Sequence, residues 1–138
     1  MSVLSELQAI EERDGILNPQ AVVDFARDPK TELHKKFEWE NETAGDQYRL
    51  WQARKIITAQ VVVANKQQKS IEVQAFVSIT SDRHPQGGYR SIVSVMSDDE
   101  LREKMLADAK RDFQTFKRRY QDLTELATVF QELEHVFA

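Results

Sequence analysis

The sequence predicts an α+β fold in which short N-terminal helices precede a three-stranded antiparallel β-meander and a long C-terminal helical region. Two changes in the spacing of apolar residues predict this fold. Helical spacing changes to strict alternation near residue 57, and helical spacing resumes near residue 97. The length of 138 residues suits one domain. We therefore expect residues 1–138 to form a single domain with a helical part (1–57), a sheet (58–96) and a C-terminal helix or helical hairpin (97–138).

Composition excludes several classes of protein before any motif is considered. The chain is 41% hydrophobic and 30% charged, which is unlike disordered or collagen-like sequences. It has no cysteine, and therefore no disulfide scaffold, thiolate metal site or thiol nucleophile. No apolar run approaches the length of about 20 residues that spans a bilayer, and the N-terminus lacks the pattern of a signal peptide. These features predict a cytoplasmic protein without membrane contact.

Capping signals divide the N-terminal part into short helices. Gly15 ends the first helix, and Asn18-Pro19 opens the second, since asparagine caps free amides and proline suits the first helical position. Thr31 caps a short third helix and Asn41 a fourth. Four aromatic residues follow at helical spacing, and we expect them in the core rather than on a base-stacking surface: Phe37, Trp39, Tyr48 and Trp51.

The middle of the chain is predicted to form three strands with short connections. Residues 57–64 are rich in β-branched side chains, residues 71–79 alternate apolar and mostly polar side chains, and residues 89–95 alternate again. Consecutive strands joined this way most simply form a meander. This zone is also the only one with a positive net charge, +2 over residues 58–96 against −4 for the whole chain.

The C-terminal zone predicts one long helix or two folded together. Ser97 and Glu100 have the spacing of a capping box, and neither glycine nor proline follows before Ala138. A single helix would be about 60 Å long, twice the roughly 29 Å expected across a domain of this size. The region therefore either folds back near Gln121-Asp122 or pairs with a partner.

An apolar stripe along this zone predicts self-association, most simply a two-fold homodimer. A buried phenylalanine contributes about 1.5–3 kcal/mol, and the small sheet offers one apolar face that the N-terminal helices also need. The alternative is a compact monomer with the helix bent at Gln121-Asp122. The predicted oligomer interface consists of six side chains: Phe113, Phe116, Tyr120, Leu123, Phe130 and Phe137.

Catalytic and metal-binding motifs are absent from the sequence. The three histidines, His34, His84 and His135, have neither HExxH spacing nor a second histidine one turn away. No GxSxG nucleophile motif, GxGxxG fingerprint or Walker loop occurs. We therefore expect no enzyme, with no catalytic residues, no metal ligands and no cofactor.

The order of helices followed by a hairpin resembles a winged-helix arrangement, which suggests contact with double-stranded DNA. The residues after Thr31 would read a groove, and the loop 81–90, including His84, would lie near phosphates. The acidic run Glu38–Glu42 and the net charge of −4 oppose this hypothesis. The alternative is an interaction or structural protein with no nucleic-acid role. The predicted DNA contacts are Thr31, His34, Lys35, Lys36, Arg83 and Arg90.

Two segments carry a resemblance to a group of known proteins. Leu33–Trp39 reads LHKKFEW, and Tyr48–Ile57 reads YRLWQARKII. Together they resemble small uncharacterised proteins of bacteriophages and prophages, in which an LHxxFEW stretch precedes YRxxQAR, a β-rich middle and a helical tail. The likeness covers residues 16–125. It implies a phage accessory protein in the cytoplasm of a bacterial host, with a host or phage protein as a partner, and supplies no active site.

Overall fold

The computed structural model describes residues 2–40, 45–67, 69–83 and 87–138. These ranges contain short 3-10 turns at Leu33–Lys36, Thr80–Asp82 and Thr124–Leu126. The described α-helices are α1 (Val3–Asp14), α2 (Pro19–Ala26), α3 (Gly45–Ala59), α4 (Ile92–Met96), α5 (Asp99–Tyr120) and α6 (Ala127–Val136). The described strands are β1 (Val61–Lys66), β2 (Lys69–Gln74), β3 (Phe76–Val77) and β4 (Arg90–Ser91).

α1 ends and α2 begins at predicted capping residues, whereas the segment after Thr31 forms only the 3-10 turn Leu33–Lys36. Gly15 adopts a left-handed conformation (φ +80°), and its amide donates to the Glu11 carbonyl at 2.7 Å, which ends α1. The Asn18 side chain accepts from the Gln20 amide at 2.8 Å, with Pro19 as the first residue of α2. The predicted cap Asn41 lies outside the described residues.

One apolar core joins α1, α2, α3, the Leu33–Lys36 turn and β3. Phe76 is fully buried in it, and Phe37 is 8% exposed. The twelve buried residues of this cluster are Leu7, Ile10, Leu17, Val22, Val23, Ala26, Leu33, Phe37, Ala53, Ile57, Ala75 and Phe76. The α5 and α6 helices contribute none of them, so the C-terminal region does not share this core.

The expectation that all four N-terminal aromatic residues are core is wrong for two of them. Phe37 is buried and Trp39 packs against the core. Tyr48 and Trp51 are 48% and 50% exposed, and their rings stack on each other at a centroid distance of 5.6 Å. Helical spacing did not distinguish the buried aromatic residues from the exposed ones. α3 contacts the core through Ala53 and Ile57, on a different face from Tyr48 and Trp51.

The three-stranded meander is corrected to two separate two-stranded antiparallel sheets. β1 pairs with β2 from Val61↔Gln74 to Lys66↔Lys69, whereas β3 pairs with β4. The predicted strand 71–79 breaks at Ala75, whose amide donates to the Gln60 carbonyl at 2.9 Å. The break turns Phe76 into the core, where strict alternation would have placed its large side chain on the polar face.

The predicted third strand, residues 89–95, is mostly helical. The strand covers only Arg90–Ser91, and the Ser91 hydroxyl then accepts from the Ser94 amide at 3.1 Å and caps α4. Capping therefore outweighs the β propensity of the valines that follow.

The C-terminal region is two helices folded back on each other, as in the predicted alternative with a bend near Gln121-Asp122. α5 has 22 residues and is about 33 Å long, and the chain reverses through residues 121–126 into α6. The cap of α5 is Asp98, which accepts from the Leu101 amide at 3.1 Å. The predicted capping box is wrong, because the Ser97 hydroxyl donates to the Val93 carbonyl at 2.8 Å instead.

Candidate interaction surface

Aromatic contacts hold α5 and α6 together as a hairpin. The Phe113 ring lies 6.1 Å from that of Phe130 and 5.9 Å from that of Phe137, and Phe116 meets Phe130 edge-on at 5.8 Å. An ion pair between Lys117 and Glu134 closes one side of the seam. Phe113 and Phe130 are 6% and 5% exposed, so the hairpin has a small apolar core of its own.

Several large apolar side chains of the hairpin are also exposed to solvent. Leu106 is 57% exposed, Phe116 44% and Val136 71%. We call the exposed residues Leu106, Phe116, Leu123, Val129 and Val136 the hairpin face. Single exposed apolar residues are ordinary on a soluble protein, whereas several on one pair of helices are typical of an interaction surface.

The surface exists because α6 is apolar on two adjacent faces. Phe130 and Phe137 point toward α5, and Val129 and Val136, one position earlier in each case, lie about 100° around the helix. One neighbouring helix covers only one of these faces. The other stays exposed, with Leu133 half-buried between the two valines.

The six residues of the predicted oligomer interface divide into three groups. Phe113 and Phe130 are buried inside the hairpin, and Tyr120 and Phe137 are half-buried. Phe116 and Leu123 remain 44% and 46% exposed and lie on the hairpin face. Fold-back therefore covers part of the predicted stripe, and the valines of α6 extend what is left.

Around Leu33–Lys36, three of the four predicted DNA contacts are held by other groups of the chain. The His34 ring stacks on Trp39 at 4.9 Å, and its Nδ1 lies 2.8 Å from the Ala26 carbonyl oxygen. The Thr31 hydroxyl donates to the Asp28 carbonyl at 2.8 Å, and Lys35 pairs with Glu32 at 3.3 Å. Lys36 is exposed at the end of a 3-10 turn of four residues, about one turn long.

The two predicted arginine contacts also have partners within the chain. Arg90 makes a two-pronged ion pair with Asp82 at 2.7 and 3.1 Å, and this hydrogen-bonded contact raises the pKa of Arg90 despite partial burial. Arg83 donates to the Ser78 carbonyl at 3.0 Å. The third predicted wing residue, His84, lies outside the described residues.

Two buried charged residues that the sequence did not single out, Arg49 and Glu6, fix the segment Leu33–Trp39 against α1 and α3. Arg49 is 4% exposed, and it donates to the Glu38 carbonyl and to Asp46, both at 3.0 Å, with its guanidinium 5.3 Å from the centre of the Trp39 ring. Glu6 is 3% exposed and accepts from the amides of Glu32 and Leu33. These residues have structural roles in joining helix, turn and helix.

An apolar groove lies between the β1–β2 hairpin, α4 and the start of α5. Its volume is about 620 Å³. Met96 and Met105 lie on one side and Val62 and Val73 on the other, and Val93 on α4 is 70% exposed at its edge. Aliphatic side chains make most of its wall, so the groove offers shape and apolar area with few polar groups.

A polar contact anchors α5 beside this groove. The Thr80 amide and hydroxyl donate to the Asp108 carboxylate at 2.9 and 2.6 Å, and Arg111 pairs with the same carboxylate. Burial alone would raise the pKa of Asp108, but the hydrogen bonds from Thr80 and the charges of Arg111 and Arg83 outweigh it and lower the pKa. This contact ties the position of α5 to the body of the protein.

Comparison with known proteins gives no relative from which a role could be transferred. No family model, no curated protein and no solved structure matches the chain. Among the described residues, no group of three or more His, Asp or Glu side chains could hold a metal ion. No helix in the described ranges is long and apolar enough to cross a membrane.

Proposed function

We propose that this chain is a non-enzymatic assembly protein that associates with a second copy of itself through the hairpin face. The single observation that carries the proposal is the exposure of large apolar side chains on both helices of the hairpin, up to 71% for Val136. The resemblance of Leu33–Trp39 to phage proteins is the basis for proposing a bacteriophage accessory role in a bacterial host.

Burial of the hairpin face supplies the free energy that we propose for this association. Burying one large aliphatic or aromatic side chain contributes about 1.5–3 kcal/mol. In a two-fold dimer each residue of the hairpin face is buried twice, once in each subunit. Several such residues offset the cost of bringing two chains together, which is of the order of 4–15 kcal/mol.

The geometry favours self-association over DNA contact. Five of the six predicted DNA contacts have hydrogen-bond or ion-pair partners within the chain, as described above. The side chains of the hairpin face, in contrast, are exposed and apolar. Apolar side chains contribute little to phosphate binding but much to protein association.

Sedimentation velocity at micromolar concentration tests the proposal. We expect the wild type to sediment as a dimer with twice the chain mass of 16.0 kDa. We expect Val136→Asp and Val129→Asp each to raise the dissociation constant of the dimer about tenfold or more. Trp51→Asp is the matched control, because Trp51 is 50% exposed but lies on α3. A monomeric wild type, or dissociation by Trp51→Asp alone, would contradict the proposal.

A further inference from the structure

The charges of α5 are divided between its two halves. Residues 98–108 contain five acidic and two basic side chains, whereas residues 109–120 contain five basic side chains and one acidic. This order matches the helix dipole, and it also makes the helix complementary to an antiparallel copy of itself. Antiparallel pairing sets unlike halves against each other, and parallel pairing sets like halves together.

The apolar groove lies beside the acidic half of α5. Met105 of α5 lines it, together with Met96 of α4. A second recess of about 340 Å³ shares Met105 and Val77 with the groove and continues along α5 as far as Asp112. The two recesses together therefore run along α5 from Met105 to Asp112, next to Phe113, where the hairpin contacts begin.

The exposed face of α6 lies beside the basic half of α5. α6 packs over residues 113–117, and Val129 and Val136 are exposed on its neighbouring face, with Leu133 half-buried. If two α5 helices cross antiparallel between Ala109 and Lys110, residues 113–120 of one lie opposite residues 99–106 of the other. Each α6 is then at the level of the groove of the other copy.

We propose that the groove is filled by α6 of a second copy, in a two-fold dimer whose α5 helices run antiparallel. This inference rests on the proposed self-association and adds its arrangement. The aliphatic face of α6 then meets the aliphatic wall of the groove, and the basic half of each α5 lies at the level of the acidic half of the other. Both groove and α6 face remain unfilled in one chain alone, so the partner copy completes each site.

Substitution in the groove tests this arrangement, because Val93 lies on α4, outside the hairpin. We expect Val93→Lys to weaken the dimer about tenfold or more and to leave the fold intact, since the side chain is 70% exposed. Val61→Lys is the matched control, as Val61 is 50% exposed and does not line the groove. A dimer that resists Val93→Lys would overturn the groove proposal and leave self-association standing.

Cysteine cross-linking tests the antiparallel order, and the chain suits it because it contains no cysteine. We expect a mixture of Asp99→Cys and Tyr120→Cys chains, whose altered positions lie at equivalent levels on the Leu106 side of α5, to form a disulfide-linked dimer on mild oxidation, and either chain alone to remain uncross-linked. Strong cross-linking of each chain alone would show parallel pairing and overturn the inference. A chain that sediments as a monomer throughout would instead overturn the proposed self-association.

Discussion

At the residue scale, Asp108 links the long helix to the body of the protein. It accepts two hydrogen bonds from Thr80 and pairs with Arg111, and its pKa is lowered in the folded state. A lowered folded-state pKa means that the stabilisation is complete above the ordinary aspartate pKa. It is lost as the pH falls through the lowered pKa, because the unfolded chain then binds the proton more readily.

We expect Asp108→Asn to reduce the free energy of unfolding at pH 7 by about 1.5–3 kcal/mol, the contribution of hydrogen bonds to a charged group. Urea denaturation at pH 7, and then at steps below pH 4, measures it. The difference from the wild type should shrink as the pH falls through the lowered pKa of Asp108. Asp112→Asn, an exposed carboxylate on the same helix, is the control, and equal stability of wild type and Asp108→Asn at pH 7 would contradict the assignment.

Sequence patterns also gave no indication of which charged residues are buried. Glu6 and Arg49 are 3% and 4% exposed, although both residue types are mostly found at the surface. The Glu6 carboxylate accepts hydrogen bonds from the amides of Glu32 and Leu33, which lie 26 and 27 positions further along the chain. Its role therefore depends on tertiary contacts. Glu11 flanks the same apolar face of the helix, so helical spacing alone does not distinguish the two residues.

At the element scale, helix ends were predictable where one residue fixes the cap. Gly15 and Asn18-Pro19 end and begin helices as predicted, since their effects are local. The sheet was not predictable in the same way. Phe76 within an alternating run belongs to the core, and Ser91 caps a helix where the following valines favour a strand. Both outcomes depend on competition between local propensity and packing.

We expect Asn18→Ala to destabilise the protein by about 1 kcal/mol, the usual cost of losing an N-cap side chain. The Asn18 side chain accepts from the Gln20 amide at 2.8 Å, and α2 contributes Val22, Val23 and Ala26 to the core. Thermal unfolding followed by circular dichroism measures the loss. Asn18→Asp keeps an acceptor and should stay close to the wild type, so an equal loss in both variants would argue against capping as the cause.

At the scale of the whole molecule, the predicted α+β class and the helical C-terminal region are present. Which apolar side chains of that region stay exposed is seen only in the structure. The sequence predicted a stripe along the whole C-terminal zone, but the fold-back covers Phe113 and Phe130 and leaves Val129 and Val136 exposed. A stripe pattern identifies apolar positions without showing which neighbour covers them. The candidate surface is therefore shifted from the predicted one toward α6.

The DNA hypothesis also belongs to this scale, since phosphate binding depends on clustered, unpaired positive charge. With a net charge of −4, and with Arg90 and Lys35 held by Asp82 and Glu32, we expect no mobility shift of mixed-sequence duplex DNA at micromolar protein and low salt. A shift that weakens steeply with added salt would contradict this prediction. The variant Lys36→Gln then locates the contact: loss of the shift would support the predicted groove-reading turn, and an unchanged shift would place DNA elsewhere on the molecule.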